Sequence, residues 1–276
     1  MSQLILEAGR TEQQYWRDLW RYRELFYVLA WRDISVRYKQ TVIGVLWALI
    51  QPFASMIIFT VIFGKIAGLP SGGAPYPLLV FAGMLPWNFV SNALSSSSSS
   101  LVGNANLISK IYFPRLIIPA SAIIVTMVDF LISFFLMVAT MVWYQYVPPV
   151  QVFLLPFFII MAFLTALGPG LIITALTVKY RDFRYIIPFI TQFGIFISPV
   201  AYNSSLISDK YGEGGRLLYS INPVAGVIDG FRWAILGGKN EIYLPGFLLS
   251  IATTALLLVI GIRYFRSTER TFADVI

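Results

Sequence analysis

The chain of 276 residues contains no cysteine and no histidine. Without thiols it has no thiolate nucleophile, no zinc–thiolate cluster and no disulfide framework. Without imidazole it lacks the commonest metal ligand and the commonest general base. Charge is scarce as well: Asp, Glu, Lys and Arg make up 12% of the chain, against about 25% in soluble domains. No G-x-x-x-x-G-K-[ST], G-x-S-x-G or G-x-G-x-x-G segment occurs, so nucleotide-binding and hydrolase signatures are missing. These absences lead us to expect no catalytic residue, no metal site and no cofactor in this chain.

Apolar residues are abundant instead. They account for 58% of the sequence, against about 45–50% in globular proteins, and mean hydropathy is +0.75. Too few charges remain to cover a soluble surface, which implies an integral membrane protein. A helix needs about 20 apolar residues to cross ~30 Å of hydrocarbon. Uncharged stretches from Gln40 to Gly64 and from Ile66 to Ser109, and the stretch from Leu116 to Val178 broken only by Asp129, supply the first four crossings. Turn-rich Leu69 to Pro75 and Tyr146-Val147-Pro148-Pro149 divide them. Six spans are expected, near 41–63, 77–102, 116–143, 151–177, 185–202 and 244–262. The domain plan is then a segment 1–40, a six-span transmembrane domain 41–265 and a tail 266–276.

Orientation follows from Lys and Arg in the connecting segments. The N-terminal segment, the 103–115 and 178–184 loops and the C-terminus hold 15 of them, and the opposite side holds 5. Both termini are therefore expected in the cytoplasm, and the net charge of +7 reads as a topology signal and not as nucleic-acid binding. Residues 1–40 carry twelve charges and no signal-peptide core, so this segment is expected to be retained at a membrane face.

Four features stand apart from the regular spans. Asp129 is the one ionisable residue deep in a span and must face a helix partner or water; it reads either as a packing acid or as a proton carrier. Trp16, Trp20, Tyr27, Trp31, Ile34 and Tyr38 recur at steps of three, four or seven. That spacing aligns them on one side of an amphipathic interfacial helix, either a passive anchor or a docking surface for a cytoplasmic partner. Ser95 to Ser100 are six consecutive serines inside the second span, suited to close helix packing or to lining a hydrated path. Finally, residues 203–243 include Asn222 as an N-cap, Pro223 at the first helical position and Gly237 at the far end. This reads as a short amphipathic helix. With Pro199 at the end of span five it suggests re-entrant half-helices forming an external gate, for which Pro199, Asn222, Pro223 and Arg232 are the candidate residues. The expected class is an all-α integral membrane protein: six transmembrane helices, an interfacial N-terminal helix and short external gate helices.

Arg32-Asp33-Ile34-Ser35-Val36-Arg37-Tyr38-Lys39-Gln40, continuing through Gly44 and Trp47 to Gln51-Pro52, resembles the opening signature of type-2 ABC exporter permeases of the polysaccharide branch. Phe113-Pro114-Arg115 with Pro119, Tyr180-Arg181-Asp182, Ser198-Pro199-Val200-Ala201-Tyr202 and Asn222-Pro223 with Arg232 follow in the family's order. The resemblance extends from about residue 20 to 270. It implies a permease homodimer in the cytoplasmic (inner) membrane, two copies of a separate ATP-binding subunit that holds ATP and magnesium, and a lipid-linked polysaccharide of O-antigen, capsule or teichoic acid type. A drug or another lipid is the alternative substrate. Asp33, Arg37, Lys110, Tyr112, Phe113, Arg115, Arg181 and Asp182 would couple the permease to its ATPase. The spacing of Asp33 and Arg37 also permits an intrahelical ion pair.

A conduit for such a glycan should combine aromatic faces with small hydroxyls, since unpaired charge is costly to bury. Trp47, Phe59, Phe189, Phe193, Phe196 and Tyr202 are the candidates for it. Phe189, Phe193 and Phe196 share one helix face, whereas Trp143, Tyr144 and Tyr146 suit an interfacial belt.

Overall fold

The computed structural model describes residues 12–39, 45–237 and 242–272. Among these, every regular element is a helix. That is the outcome lipid demands, because a helix satisfies its own backbone polar groups without water. The main elements are α1 (Glu12–Arg21), α2 (Arg23–Lys39), α3 (Val45–Phe59), α4 (Tyr76–Gly103), α5 (Ala105–Lys110) and α6 (Ile117–Trp143). After them come α7 (Leu155–Lys179), α8 (Phe183–Ile197), α9 (Ser205–Tyr219), α10 (Pro223–Leu236) and α11 (Leu244–Thr268). Prolines open α4, α7, α10 and α11 in their first turn, where the missing N–H is not needed.

The chain is an integral membrane protein with an all-α fold. Among the described residues, five helical stretches are long and apolar enough to cross a membrane: Leu46–Ile66, Tyr76–Gly103, Ile117–Trp143, Val150–Lys179 and Leu244–Thr271. The expected fifth crossing is shorter than the sequence suggests. Its helix, α8, has 15 residues, about 22 Å at 1.5 Å per residue, and stops at Ser198 where the backbone turns extended. Span one is also modified: α3 passes into a π-helical segment, Thr60–Ile66, and residues 40–44 of the expected span lie outside the described residues.

Helix α4 is the axis of the molecule. Leu78 through Trp87 are all buried, and α4 packs on α6, α7 and α10. The serine tract acts here as a packing device. Ser97, Ser98 and Ser100 are buried, and their hydroxyls donate to carbonyls three residues back at 2.6–3.2 Å. Thr174 of α7 donates to the Ser97 carbonyl at 2.8 Å, and a Cβ on Gly170 would meet Ser97 Oγ at 2.9 Å. Helices α7 and α11 approach closer still: a Cβ on Gly261 would lie 2.3 Å from the Gly168 carbonyl oxygen.

Two expectations need correction. The N-terminal helix is two helices, broken at Tyr22. Trp16, Trp20, Tyr27 and Trp31 do face outward, and α1 separates its apolar from its polar side as expected, yet α2 shows almost no such separation, because Leu29 and Ala30 pack inward while Val28 and Val36 look out. The second correction concerns α10. It is buried on nearly all sides, from Val224 to Ile228 and from Gly230 to Leu236 apart from half-buried Trp233, so it is an inserted core helix and not an amphipathic one.

Candidate functional site

The residues expected to form an external gate converge where α8 breaks. The Asn222 side chain caps α10 by accepting from Val224 N at 3.1 Å, and its amide donates to Ser198 Oγ at 3.0 Å. Gly237 ends the helix at φ +53, a left-handed conformation that a Cβ would strain. Arg232 is 1% exposed. Its guanidinium donates to the carbonyls of Leu79 (3.2 Å), Val200 (2.7 Å) and Tyr202 (2.6 Å). Tyr76 donates to the Ala201 carbonyl at 2.6 Å. The carbonyls of Val200, Ala201 and Tyr202, in the turn that follows α8, are thus each received by a side chain, as backbone broken away from water requires. Asp229, bonded by Ser204, supplies negative charge near the guanidinium. Pro199 is buried within the same turn. The hydroxyls of Tyr202 and Tyr219 meet at 2.9 Å and tie the turn to α9.

The expected coupling residues separate into two kinds. Lys110, Tyr112, Arg181 and Asp182 are exposed. Phe113 is buried in a second apolar cluster with Leu29, Ile108, Phe265 and Phe272. Arg115 is tied down at the same end: its backbone N donates to Glu269 at 2.6 Å, and its guanidinium reaches the Glu269 carbonyl. Tyr15 donates to the same carboxylate at 3.0 Å, and burial beside Glu269 pushes its phenol up, so it stays protonated. Glu269, just past the end of α11, therefore ties Tyr15 of α1 to Arg115.

Asp33 and Arg37 do not pair with each other. Asp33 accepts from neighbouring Arg32, which also reaches Asn104 at 2.9 Å. Arg37 extends to Asp129 at 2.7 Å, and Tyr38 donates to the same carboxylate. The lone intramembrane acid thus has two partners, both from α2. Sequence reasoning demanded a partner for Asp129 without identifying one; the available signal was the Arg37-Tyr38 pair, a cation and a donor beside the first span.

The aromatic candidates are not gathered in one place. Phe189, Phe193 and Phe196 are exposed on α8, with Phe189 and Phe193 ring centroids 4.4 Å apart. Phe59 is partly buried and packs on Phe63 at 5.5 Å. Trp47 is 60% exposed and lines a cavity with Arg37, Asp129 and polar residues of α3, α4 and α6. Among the described residues there is no cluster of acidic side chains suited to a metal ion.

Comparison with known proteins agrees with this architecture. The O-antigen export system permease protein RfbA of Myxococcus xanthus is 25% identical over 262 residues, covering 94% of this chain and 98% of that protein. RfbA of Klebsiella pneumoniae is 25% identical over 260 residues, covering 92% and 95%. The polysialic acid transport protein KpsM of Escherichia coli is 23% identical over 241 residues, covering 86% and 91%. The family described as ABC-2 type transporter matches residues 24–236, which is most of the chain. This chain belongs to the ABC-2 type transporter family.

Proposed function

We propose that this chain is the membrane subunit of an exporter that moves a lipid-linked polysaccharide across the cytoplasmic membrane. The glycan is of the O-antigen, capsule or teichoic acid type. The observation that carries this reading is the end-to-end correspondence with an O-antigen export permease, 94% of one chain against 98% of the other. Two copies of the chain pair with two copies of a separate ATP-binding subunit, which holds ATP and magnesium and supplies the driving force. With α8 counted as a crossing there are six, both termini are cytoplasmic, and α9 and α10 close the external side. The outward apolar sides of α3 and α8 face the second copy and the glycan between them, so that Phe189, Phe193 and Phe196 offer ring faces to sugar. Lys110, Tyr112, Arg181 and Asp182 meet the ATPase, while Phe113 and Arg115 hold their loop in place and Asp33 and Arg37 hold α2.

The test is glycan export by cells carrying both subunits. Surface polysaccharide should disappear when the P-loop lysine of the ATPase is replaced. It should also fall sharply when Phe189, Phe193 and Phe196 all become alanine, with the complex still assembled. Normal surface glycan with either change, or ATP-dependent efflux of a drug in place of glycan, overturns the reading. Topology is checked in the same cells: single cysteines at Ser109 and Ser267 should label only from the cytoplasm, and those at Ser71 and Ser208 only from outside.

A further inference from the structure

Helices α2, α3, α4 and α6 enclose a half-open cavity of about 510 Å³, within the roughly 300–1,000 Å³ typical of small-molecule pockets. It lies at membrane depth. Asp129 is 14 residues from the end of α6 at Trp143, about 21 Å along the helix, and Asn88 and Asn92 stand near the middle of α4. Gln51, Asn88, Asn92 and Ser133 line it, and their side chains find no hydrogen-bond partner among the described residues. Primary amides left bare in hydrocarbon cost several kcal/mol. Their presence calls for a polar occupant.

The charge of the cavity narrows what that occupant is. Arg37 and Asp129 neutralise each other at 2.7 Å, and no other charged residue lines the walls. A diphosphate or other anion would find no surplus cation, and a cation would find no surplus carboxylate. What remains are amide and hydroxyl groups able both to donate and to accept, opposite the exposed indole of Trp47. A sugar ring has matching surfaces: hydroxyls at its edge and C–H groups on its face. We propose that this cavity is a binding subsite for a neutral sugar unit, formed within one protomer and separate from the phenylalanine face of α8. The inference rests on the polysaccharide-export reading and deepens it. Arg37 and Tyr38 close one wall through their contacts with Asp129, so the subsite also links glycan occupancy to the position of α2.

Because the chain has no cysteine, Ser133→Cys places a single reporter thiol in the cavity. It is measured in the complete exporter, reconstituted with its ATPase, by the rate at which a small methanethiosulfonate labels this chain. Maltose, a neutral disaccharide, at about twice its dissociation constant should slow labelling about threefold, the protection expected when two thirds of the sites are occupied. A cysteine at Ser208 should be unaffected. Asn88→Leu with Asn92→Leu in the reporter background should abolish protection while the complex still co-purifies. If that pair fails to assemble, Asn92→Asp serves instead: it keeps the shape, adds a charge, and should weaken protection. Equal protection by pyrophosphate, protection at Ser208, or no protection by maltose overturns the proposal, the last meaning that the cavity holds only water or lipid. Glycan export by the same preparation separates the two ideas. Export with an unprotected cavity sinks the subsite alone, whereas no ATP-dependent glycan export sinks the exporter reading.

Discussion

Helices α3 and α4 are neighbours and, with the π-helical end of α3 included, both are long and apolar enough to cross a membrane. Yet 72% of the most apolar stretch of α4 is buried in protein, against 11% for α3. The buried helix is the less hydropathic of the two. In water the order would be reversed, because burial there follows apolarity. In a bilayer the lipid is as apolar as a leucine core, so helices are drawn inside by close packing and hydrogen bonds. Helix α4 has what that requires: Gly83 against Val200 and Arg232, and a serine tract against α7. Helix α3 carries Trp47, Phe53, Ile57 and Ile58 outward, with nothing among the described residues to cover them.

If small residues and polar pairs hold the core, changing them should cost far more than larger changes on α3. The biggest loss is expected for Arg232→Met. It leaves the carbonyls of Leu79, Val200 and Tyr202 without their donor and Asp229 without the nearby positive charge. Removing one side of a buried charged network costs about 3–5 kcal/mol, read by SDS-titrated unfolding of the purified protein. A loss as small as that of an α3 surface change would mean that the α8 turn holds without it. Next is Gly261→Val, whose branched side chain meets Gly168 backbone and must push α7 and α11 apart. Overpacking of this kind costs about 1–3 kcal/mol. Ala54→Val, the same sort of addition on the exposed side of α3, should stay within about 0.5 kcal/mol. Equal destabilisation by the two would end the contrast between the helices.

The same contrast explains what was legible beforehand. Uncharged stretches locate crossings because they report transfer into lipid, a property of each segment alone. The capped α10 was readable for a similar reason, since Asn222, Pro223 and Gly237 act locally. Its burial was not readable, because a short helix with Asp229 and Arg232 looks amphipathic until the carbonyls that receive the guanidinium, on α4 and in the turn after α8, are known. Partners distant in the chain escaped too. Arg37 could have paired with Asp33 four residues away, and only the placement of α2 against α6 gives it Asp129. Phe113 and Arg115 stand in a motif beside exposed Tyr112, and nothing in their spacing says that they point inward.

The smallest effect expected is at a hydrogen bond of the kind that draws helices together. Thr165 of α7 and Thr254 of α11 are buried, with hydroxyls 3.0 Å apart. Either hydroxyl could turn to a carbonyl of its own preceding turn if the other were lost. That fallback limits the value of the pair. A double-mutant cycle with Thr165→Val and Thr254→Val should give a coupling of about 0.6 kcal/mol, the average for such pairs within membranes. Valine keeps the shape, so the α7–α11 packing around Gly168 and Gly261 should persist in both single variants. A coupling above about 2 kcal/mol would mean that hydroxyls, and not the close glycine approach, join these two helices.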